Sequence, residues 1–278
     1  MTEESGKIMP HREYYGVEFS VSQSGKYQAE LLEYPFSDWY VPAGPGPYPT
    51  AILIHGGYWR ARYGLDLMDG LARDLAQRGI AVCNMEYRRV GNPGGGWPGT
   101  FDDAKRVTRI LGISAPRLKL DLKRVVAIGH SAGGHLAFWL AAQRFYAESL
   151  STGRWEPWPF AGVISLAGVL DLHLAYQLHL SNDAVVELLG ATPEEAPERY
   201  AAASPAALLP LGVPQVVIHG DADVDVPLEV SQRYVAEAQA AGDPVRYLEL
   251  PGVDHFDLID PQSPAWAQTL TELERLIG

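Results

Sequence analysis

The chain is poor in several residue types and patterns whose scarcity decides what it is not. A single cysteine, Cys83, stands among 278 residues, so no intrachain disulfide forms and no thiolate metal cluster is available. No apolar run approaches the roughly 20 residues that a membrane helix requires, and no H-E-x-x-H spacing sets two histidines on one helix face for zinc. Neither a membrane span nor a metal is expected. Basic residues are outnumbered, 22 Lys and Arg against 34 Asp and Glu, for a formal net charge of -12. That field repels phosphates and no Lys/Arg run offsets it, which argues against nucleic acid as a partner. The opening MTEESGKIMPHREYY is polar and shows no signal-like apolar stretch, so a cytoplasmic location is the simplest expectation.

What is present reads as one globular domain over 1–278, long enough for a sizeable core. Aliphatic and β-branched runs at 51–54, 80–85, 125–129, 162–166, 215–219 and 246–250 read as buried strands. Segments at helical spacing lie between or after them, at 66–77, 101–111, 132–147, 228–241 and 265–276. This alternation predicts an α/β fold with a mostly parallel sheet covered on both faces. Ahead of it, 14–22 and 28–34 predict an antiparallel hairpin at one sheet edge, with Ser24-Gly25 near its turn. The Pro/Gly-rich stretch 41–50 is a tight connector. Residues 171–214 are too long for an ordinary crossover and carry helical pieces such as 182–189. They are expected to form a small lid-like insertion above the C-terminal edge of the sheet, where such folds bind ligands.

Gly129-His130-Ser131-Ala132-Gly133 matches G-x-S-x-G between a strand and an Ala-rich helix. That setting places a serine on a strained turn with its hydroxyl projecting, and the helix N-terminus adds positive partial charge where an oxyanion would form. A bland alternative is a glycine-rich turn whose serine merely caps the helix. Upstream, His55-Gly56-Gly57-Tyr58-Trp59 follows the 51–54 strand. Glycines there let backbone N–H groups approach a substrate, and Ala132, after the nucleophile, completes such an oxyanion hole. Tyr58 and Trp59 are expected to border the mouth of the site and contact substrate, with Trp97 a candidate for the same rim.

A serine needs a histidine to take its proton, and the histidine needs a carboxylate to fix its tautomer. Both candidates follow the serine in chain order. His219-Gly-Asp-Ala-Asp223-Val-Asp-Val-Pro227 leaves a strand for a loop with three carboxylates, Asp221, Asp223 and Asp225. Pro251-Gly-Val-Asp-His255-Phe256 supplies a loop histidine, flanked by Asp254 and Asp257 as turn caps. His130 and His135 frame the elbow as packing or hydrogen-bonding residues, and His173 and His179 carry no metal-ligand pattern. Gly94 to Gly99 fits G-x-G-x-x-G, yet its strand ends near Met85, too early for a dinucleotide site. No cofactor is expected.

HGGYW at 55–59 together with GHSAGG at 129–134 resembles the arylformamidase (kynurenine formamidase) branch of the α/β hydrolases and bacterial carboxylesterases close to it. Ser204-Pro205, HGDADVDVP at 219–227 and GVDHFDLI at 252–259 are similar to the same enzymes. The resemblance implies the α/β-hydrolase fold with a mostly parallel eight-stranded sheet. It implies Ser131 as nucleophile, Asp223 as acid, His255 as base, and Gly56, Gly57 and Ala132 as oxyanion hole. Esterases with HGGG and GDSAGG differ, since Tyr58 and His130 stand here for the third glycine and the aspartate. The implied activity is hydrolysis of small-acyl esters through an acyl-enzyme, the alternative being an arylformamidase; a non-catalytic binding protein on this scaffold is the distant rival. A small ester or amide is the implied partner, and a homodimer is compatible with the sequence.

Overall fold

The computed structural model describes residues 8–15, 17–21, 27–31, 35–143, 146–148, 155–157 and 160–278. Twelve strands are described: β1 (His11–Tyr14), β2 (Val17–Val21), β3 (Tyr27–Leu31), β4 (Phe36–Tyr40), β5 (Tyr48–Ile54), β6 (Ala81–Glu86), β7 (Leu120–His130), β8 (Tyr146–Glu148), β9 (Trp155–Pro157), β10 (Phe160–Leu166), β11 (Gln215–Gly220) and β12 (Val245–Leu250). The helices are α1 (Asp69–Gln77), α2 (Gly99–Leu118), α3 (Ala132–Ala142), α4 (Leu172–Gln177), α5 (Ala184–Leu189), α6 (Pro197–Ala203), α7 (Leu228–Ala240) and α8 (Pro264–Ile277).

Eight strands form one sheet in the order β1-β4-β6-β5-β7-β10-β11-β12. Pairing is parallel from β6 to β12 and antiparallel only where β4 joins β6 and β1 joins β4. The strand period of two sends neighbouring side chains to opposite faces, and here both faces are dry. Ile52, Ile54, Val125, Ala127, Val163 and Val217 enter one core with α2, α3 and α7. Ala51, Leu53, Val126, Ile128, Ile164 and Ile218 enter a second core with α1 and α8. That double burial is why these strands read as unbroken aliphatic runs rather than alternating ones.

The chain order reverses around β5, which lies between β6 and β7. Strand ends separated by more than 70 residues of sequence, at His55 and His130, thereby become neighbours at a switch point, the place where such sheets bind ligands. At the other side β11 and β12 lie adjacent and parallel, so the loops leaving them emerge together.

Several expectations are corrected. β2 and β3 do pair antiparallel, with Val17 opposite Leu31, but as a separate two-stranded sheet. The main sheet's edge belongs instead to β1 and β4, where Arg12 lies opposite Asp38 and forks onto it with bonds of 2.6 and 2.7 Å. Parts of the expected hairpin, residues 22–26 and 32–34, lie outside the described residues. Helix α3 ends at Ala142 rather than at 147; Tyr146–Glu148 pairs with Trp155–Pro157 as strands, in line with the strand preference of aromatic residues. Helix α2 runs past 111 to Leu118 and tolerates Pro116 in its last turn.

The insertion over 171–214 folds as α4, α5 and α6, with the side chain of Asp171 accepting the His173 and Leu174 N–H groups at the first N-terminus. Leu172, Val185, Leu188, Leu189 and Tyr200 bury in the same core as α2 and α3. Among the described residues no helix is long and apolar enough to cross a membrane.

Candidate active site

Ser131 sits where β7 turns into α3, at φ 54° and ψ -120°, a conformation L-residues rarely adopt. Its side chain makes no capping hydrogen bond to α3, so the role of a simple helix cap is not the one taken. The neighbouring glycines are needed for close approach. A Cβ on Gly129 would overlap the Gly133 carbonyl, and one on Gly133 would overlap the Ile54 carbonyl of β5. One on Gly134 would lie 2.7 Å from the Cα of Gly168. These contacts wedge the turn between β5 and the loop after β10, and the Ser131 N–H is anchored to the Leu166 carbonyl at 2.8 Å.

The 55–60 segment lies directly beside it: a Cβ on Gly56 would sit 3.0 Å from the Ser131 Cβ. Gly57 has φ 104°, and a side chain there would collide with the Tyr63 ring. Beneath it, His55 is fully buried and stacked on Tyr87, with ring centroids 4.4 Å apart. His55 Nδ1 meets the Gly56 carbonyl at 2.8 Å, and Nε2 meets the Glu86 carboxylate at 2.8 Å. Burial pushes the Glu86 carboxyl up, but the His55 contact, Arg89 and the Tyr87 N–H outweigh it and hold the group below its ordinary range. Holding the Gly56 carbonyl on the His55 side turns the Gly57 N–H the other way, because the two are antiparallel across a trans peptide.

Three further side chains tie down this loop. The Tyr58 hydroxyl donates to the Asp225 carbonyl at 2.5 Å, linking it to the loop after β11. Burial, then Asp225 and Asp223, push that hydroxyl up to about 12, so it stays a donor at neutral pH. Arg60 forks onto Glu187 of α5 and donates to Ser181, linking it to the insertion. Trp59 was expected at the mouth, but it is only 1% exposed and donates its indole N–H to His135 Nδ1 at 3.1 Å. With φ 57°, its backbone aims the ring into the core. Tyr58 stays partly exposed, as does Trp97, whose backbone N–H is held by the Leu188 carbonyl.

The loops after β11 and β12 meet as the topology demands. Asp221 and Ala222 donate their backbone N–H groups to Leu250 and Val253, and the Asp221 carboxylate accepts the Gly252 N–H at 2.6 Å. Asp221 is thus a turn brace. Asp254 and Asp257 brace the second loop in the expected capping role. Between them, His255 Nδ1 donates to Asp223 Oδ2 at 2.6 Å.

Asp223 has its acceptor capacity filled. Oδ1 accepts the Asp225 and Val226 N–H groups at 2.8 and 2.9 Å. Oδ2 faces His255 and also His219 Nε2, at 3.2 Å. Burial alone would raise this carboxyl; the bonds from His219 and His255 outweigh it and hold it far below the usual carboxylate range. Asp223, Asp225 and His255 offer metal-type ligand atoms within 4.8 Å of one another. With roughly four lone-pair positions per carboxylate, the four donors already on Asp223 leave it no free position for a cation.

His130 joins the serine turn to His255. Its Nε2–H donates to the His255 carbonyl at 2.9 Å, and the two rings lie 4.4 Å apart. Burial, reinforced by nearby His255, pushes its pKa down to about 3, so it remains neutral. His135 is likewise pushed down to about 4 by burial; Nε2–H donates to the Ala203 carbonyl, which leaves Nδ1 to accept from Trp59. His219 was missed by the sequence reading, and its only sequence signal is the four-residue spacing to Asp223. Phe256 and Val224, exposed apolar neighbours of His255 and Asp223, were also not singled out as site residues.

A mostly parallel sheet carrying a strained serine at one strand end, and an Asp–His pair on two later loops, defines the α/β-hydrolase class. Within it, the sequence matches the family described as BD-FAE over residues 37–237, and the chain belongs to that family. It is 28% identical over 270 residues to Esterase LipC of Mycobacterium tuberculosis, covering 82% of this chain and 59% of that protein. To the probable isoprenylcysteine alpha-carbonyl methylesterase ICMEL2 of Arabidopsis thaliana it is 26% identical over 239 residues, 80% of this chain and 54% of that one. The chain therefore spans a little over half the length of these relatives. Among solved structures, Esterase B from Lactobacillus Rhamnosis superposes with a TM-score of 0.73 at 23% identity, covering 99% of this chain and 87% of that one, a likeness of fold.

Proposed function

We propose that the chain is a carboxylic ester hydrolase working through Ser131, His255 and Asp223. The observation that carries this reading is the 2.6 Å bond from His255 to the buried Asp223 carboxylate, with the His255 backbone held by His130, the residue that precedes a serine at φ 54°. The esterase names among its relatives support it. Ser131 Oγ attacks the ester carbonyl while His255 Nε2 takes its proton, and Asp223 fixes the tautomer that makes this lone pair available. The loop at Gly56 and Gly57 and the first N–H of α3, at Ala132, receive the oxyanion. The imidazolium then protonates the departing alcohol, and water, deprotonated by His255, releases the acid from the acyl-enzyme. No step calls for a cofactor.

The preference for small acyl groups rests on an aromatic rim at the mouth, and of the two aromatics after the Gly56-Gly57 turn Tyr58 remains partly exposed to supply it. The leaving alcohol departs on the side of the general acid, where Phe256, half-exposed, flanks His255 and Val224 flanks Asp223. Apolar contacts on that side favour aryl or alkyl alcohols. Phenyl acetate and butyrate are therefore expected to be cleaved at least tenfold better than phenyl decanoate. A fluorophosphonate probe should label wild-type protein and not Ser131→Ala. Absence of labelling would return the scaffold to a binding role. N-formylkynurenine turnover at or above the acetate rate would move the reading to an arylformamidase.

A further inference from the structure

We propose that His219, locked by Ser231, is a positioning residue that holds the Asp223 carboxylate in register with His255, an inference that rests on the triad reading above. His219 is the penultimate residue of β11 and is fully buried, with Ser231 of α7 buried against it. Its Nε2 lies 3.0 Å from the Val226 carbonyl and 3.2 Å from Asp223 Oδ2, two acceptors, so this nitrogen carries the proton. Its Nδ1 is then an acceptor, and the Ser231 hydroxyl donates to it at 2.7 Å. The two acceptors thus select the tautomer of His219, Ser231 satisfies the ring's other nitrogen and holds the ring in place, and the N–H points at the oxygen His255 also uses. Without it, Oδ2 would have a single donor, and the carboxylate could pivot about the two backbone N–H groups that hold Oδ1. A core histidine serving only to close the loop would need the Val226 carbonyl and nothing from Asp223.

The consequence is readable in the pH profile. A donor removed from a carboxylate leaves that carboxylate more basic, so the coupled Asp223–His255 pair binds its proton more tightly. The other ionisable groups facing the pair are Asp225, Tyr58 and His130, and none changes when His219 is altered. The acid limb of kcat/KM for phenyl acetate is therefore expected to move to higher pH by about one unit in His219→Leu, with kcat down about 10- to 100-fold and KM nearly unchanged. His219→Gln, whose amide N–H reaches the Nε2 position, should recover most of the rate and restore the limb. Ser231→Ala, which removes the hydrogen bond that anchors the ring through Nδ1, should shift the limb in the same direction by a smaller amount, and it carries the test should the leucine variant not fold.

Asp223→Asn, measured alongside, separates the two levels of argument. If it is inactive while folded His219→Leu and Ser231→Ala keep the wild-type rate and acid limb, the positioning role is refuted and the triad stands. If Asp223→Asn is itself fully active, the triad reading fails first. A loss in His219→Leu that glutamine does not rescue, with the limb unmoved, marks a merely structural histidine and also overturns the proposal.

Discussion

Replacing Asp223 by Asn tests the site at its most constrained atom pair. Four N–H donors converge on this carboxylate: two from the backbone onto Oδ1, and His219 and His255 onto Oδ2. A carboxamide has one acceptor oxygen and one donor nitrogen, so either orientation sets its NH2 against two donors. If its oxygen keeps the backbone pair, His255 faces a donor and must move its proton to Nε2, removing the lone pair that Ser131 needs. If the amide turns round, the backbone N–H groups of Asp225 and Val226 lose their acceptor. The first arrangement preserves the fold and should cost about 10⁴ in kcat, or about 5.4 kcal/mol of transition-state stabilisation. Asp221→Asn keeps an oxygen for the Gly252 N–H, and Asp225→Asn leaves the carbonyl that Tyr58 uses; each should stay within about threefold of wild type. Steady-state hydrolysis of p-nitrophenyl acetate, with circular dichroism to confirm folding, makes the comparison. A severe loss at Asp225 with Asp223 spared would refute the assignment.

Three other outcomes are expected. Ser131→Ala should lose about 10⁴-fold or more in kcat while folding normally, and a variant retaining a tenth of wild-type activity would show that another group attacks the substrate. Trp59→Phe removes the donor to His135 Nδ1 and should destabilise the fold by about 1–3 kcal/mol in urea unfolding; KM for aryl esters should hold, and a severalfold rise in KM at unchanged stability would put the indole in contact with substrate. His130 and His135 stay neutral when folded, with pKa values of about 3 and about 4 against an ordinary 6.5, so the unfolded chain binds two protons more between those limits. Stability contributed this way is present above about pH 6.5 and is lost as pH falls toward 4, with a slope approaching about 2.7 kcal/mol per pH unit; a flat profile of unfolding free energy over pH 4.5–6 would contradict it.

The central strands were legible because burial on both faces leaves no polar residue in 51–54 or 125–128, and such runs announce themselves. The sheet's edge was not. In β4, FSDWY, all five residues are buried, yet Ser37 and Asp38 break the apolar pattern, and Asp38 is tolerated only because Arg12 arrives from β1. That compensation comes from a residue 26 positions away, which no local window contains. The hairpin was recognised as a pair but assigned to the wrong sheet for the same reason, since alternation sets which residues face together and not which partner they meet.

At the site, the legible parts are those whose chemistry demands a local motif. A serine on a strained turn needs small neighbours within three residues, and Gly129, Gly133 and Gly134 each prove to abut backbone. The residues that prepare the site lack such signatures, because they work across the fold. His55 acts through Glu86, His130 through the backbone of His255, and Tyr58 through the backbone of Asp225. Trp59 shows the converse error: adjacency to the Gly56-Gly57 turn looked like adjacency to substrate, but a positive φ turned the ring away. Taken together, every loop at the C-terminal edge is tied to another by at least one hydrogen bond. Such ties fix Ser131, His255, Asp223 and the Gly56-Gly57 loop relative to one another, so under the proposed mechanism little reorganisation is left for the reaction itself. Cutting a single tie, such as Tyr58→Phe, should then lower kcat rather than raise KM, because the oxyanion loop would have to be ordered anew in each transition state.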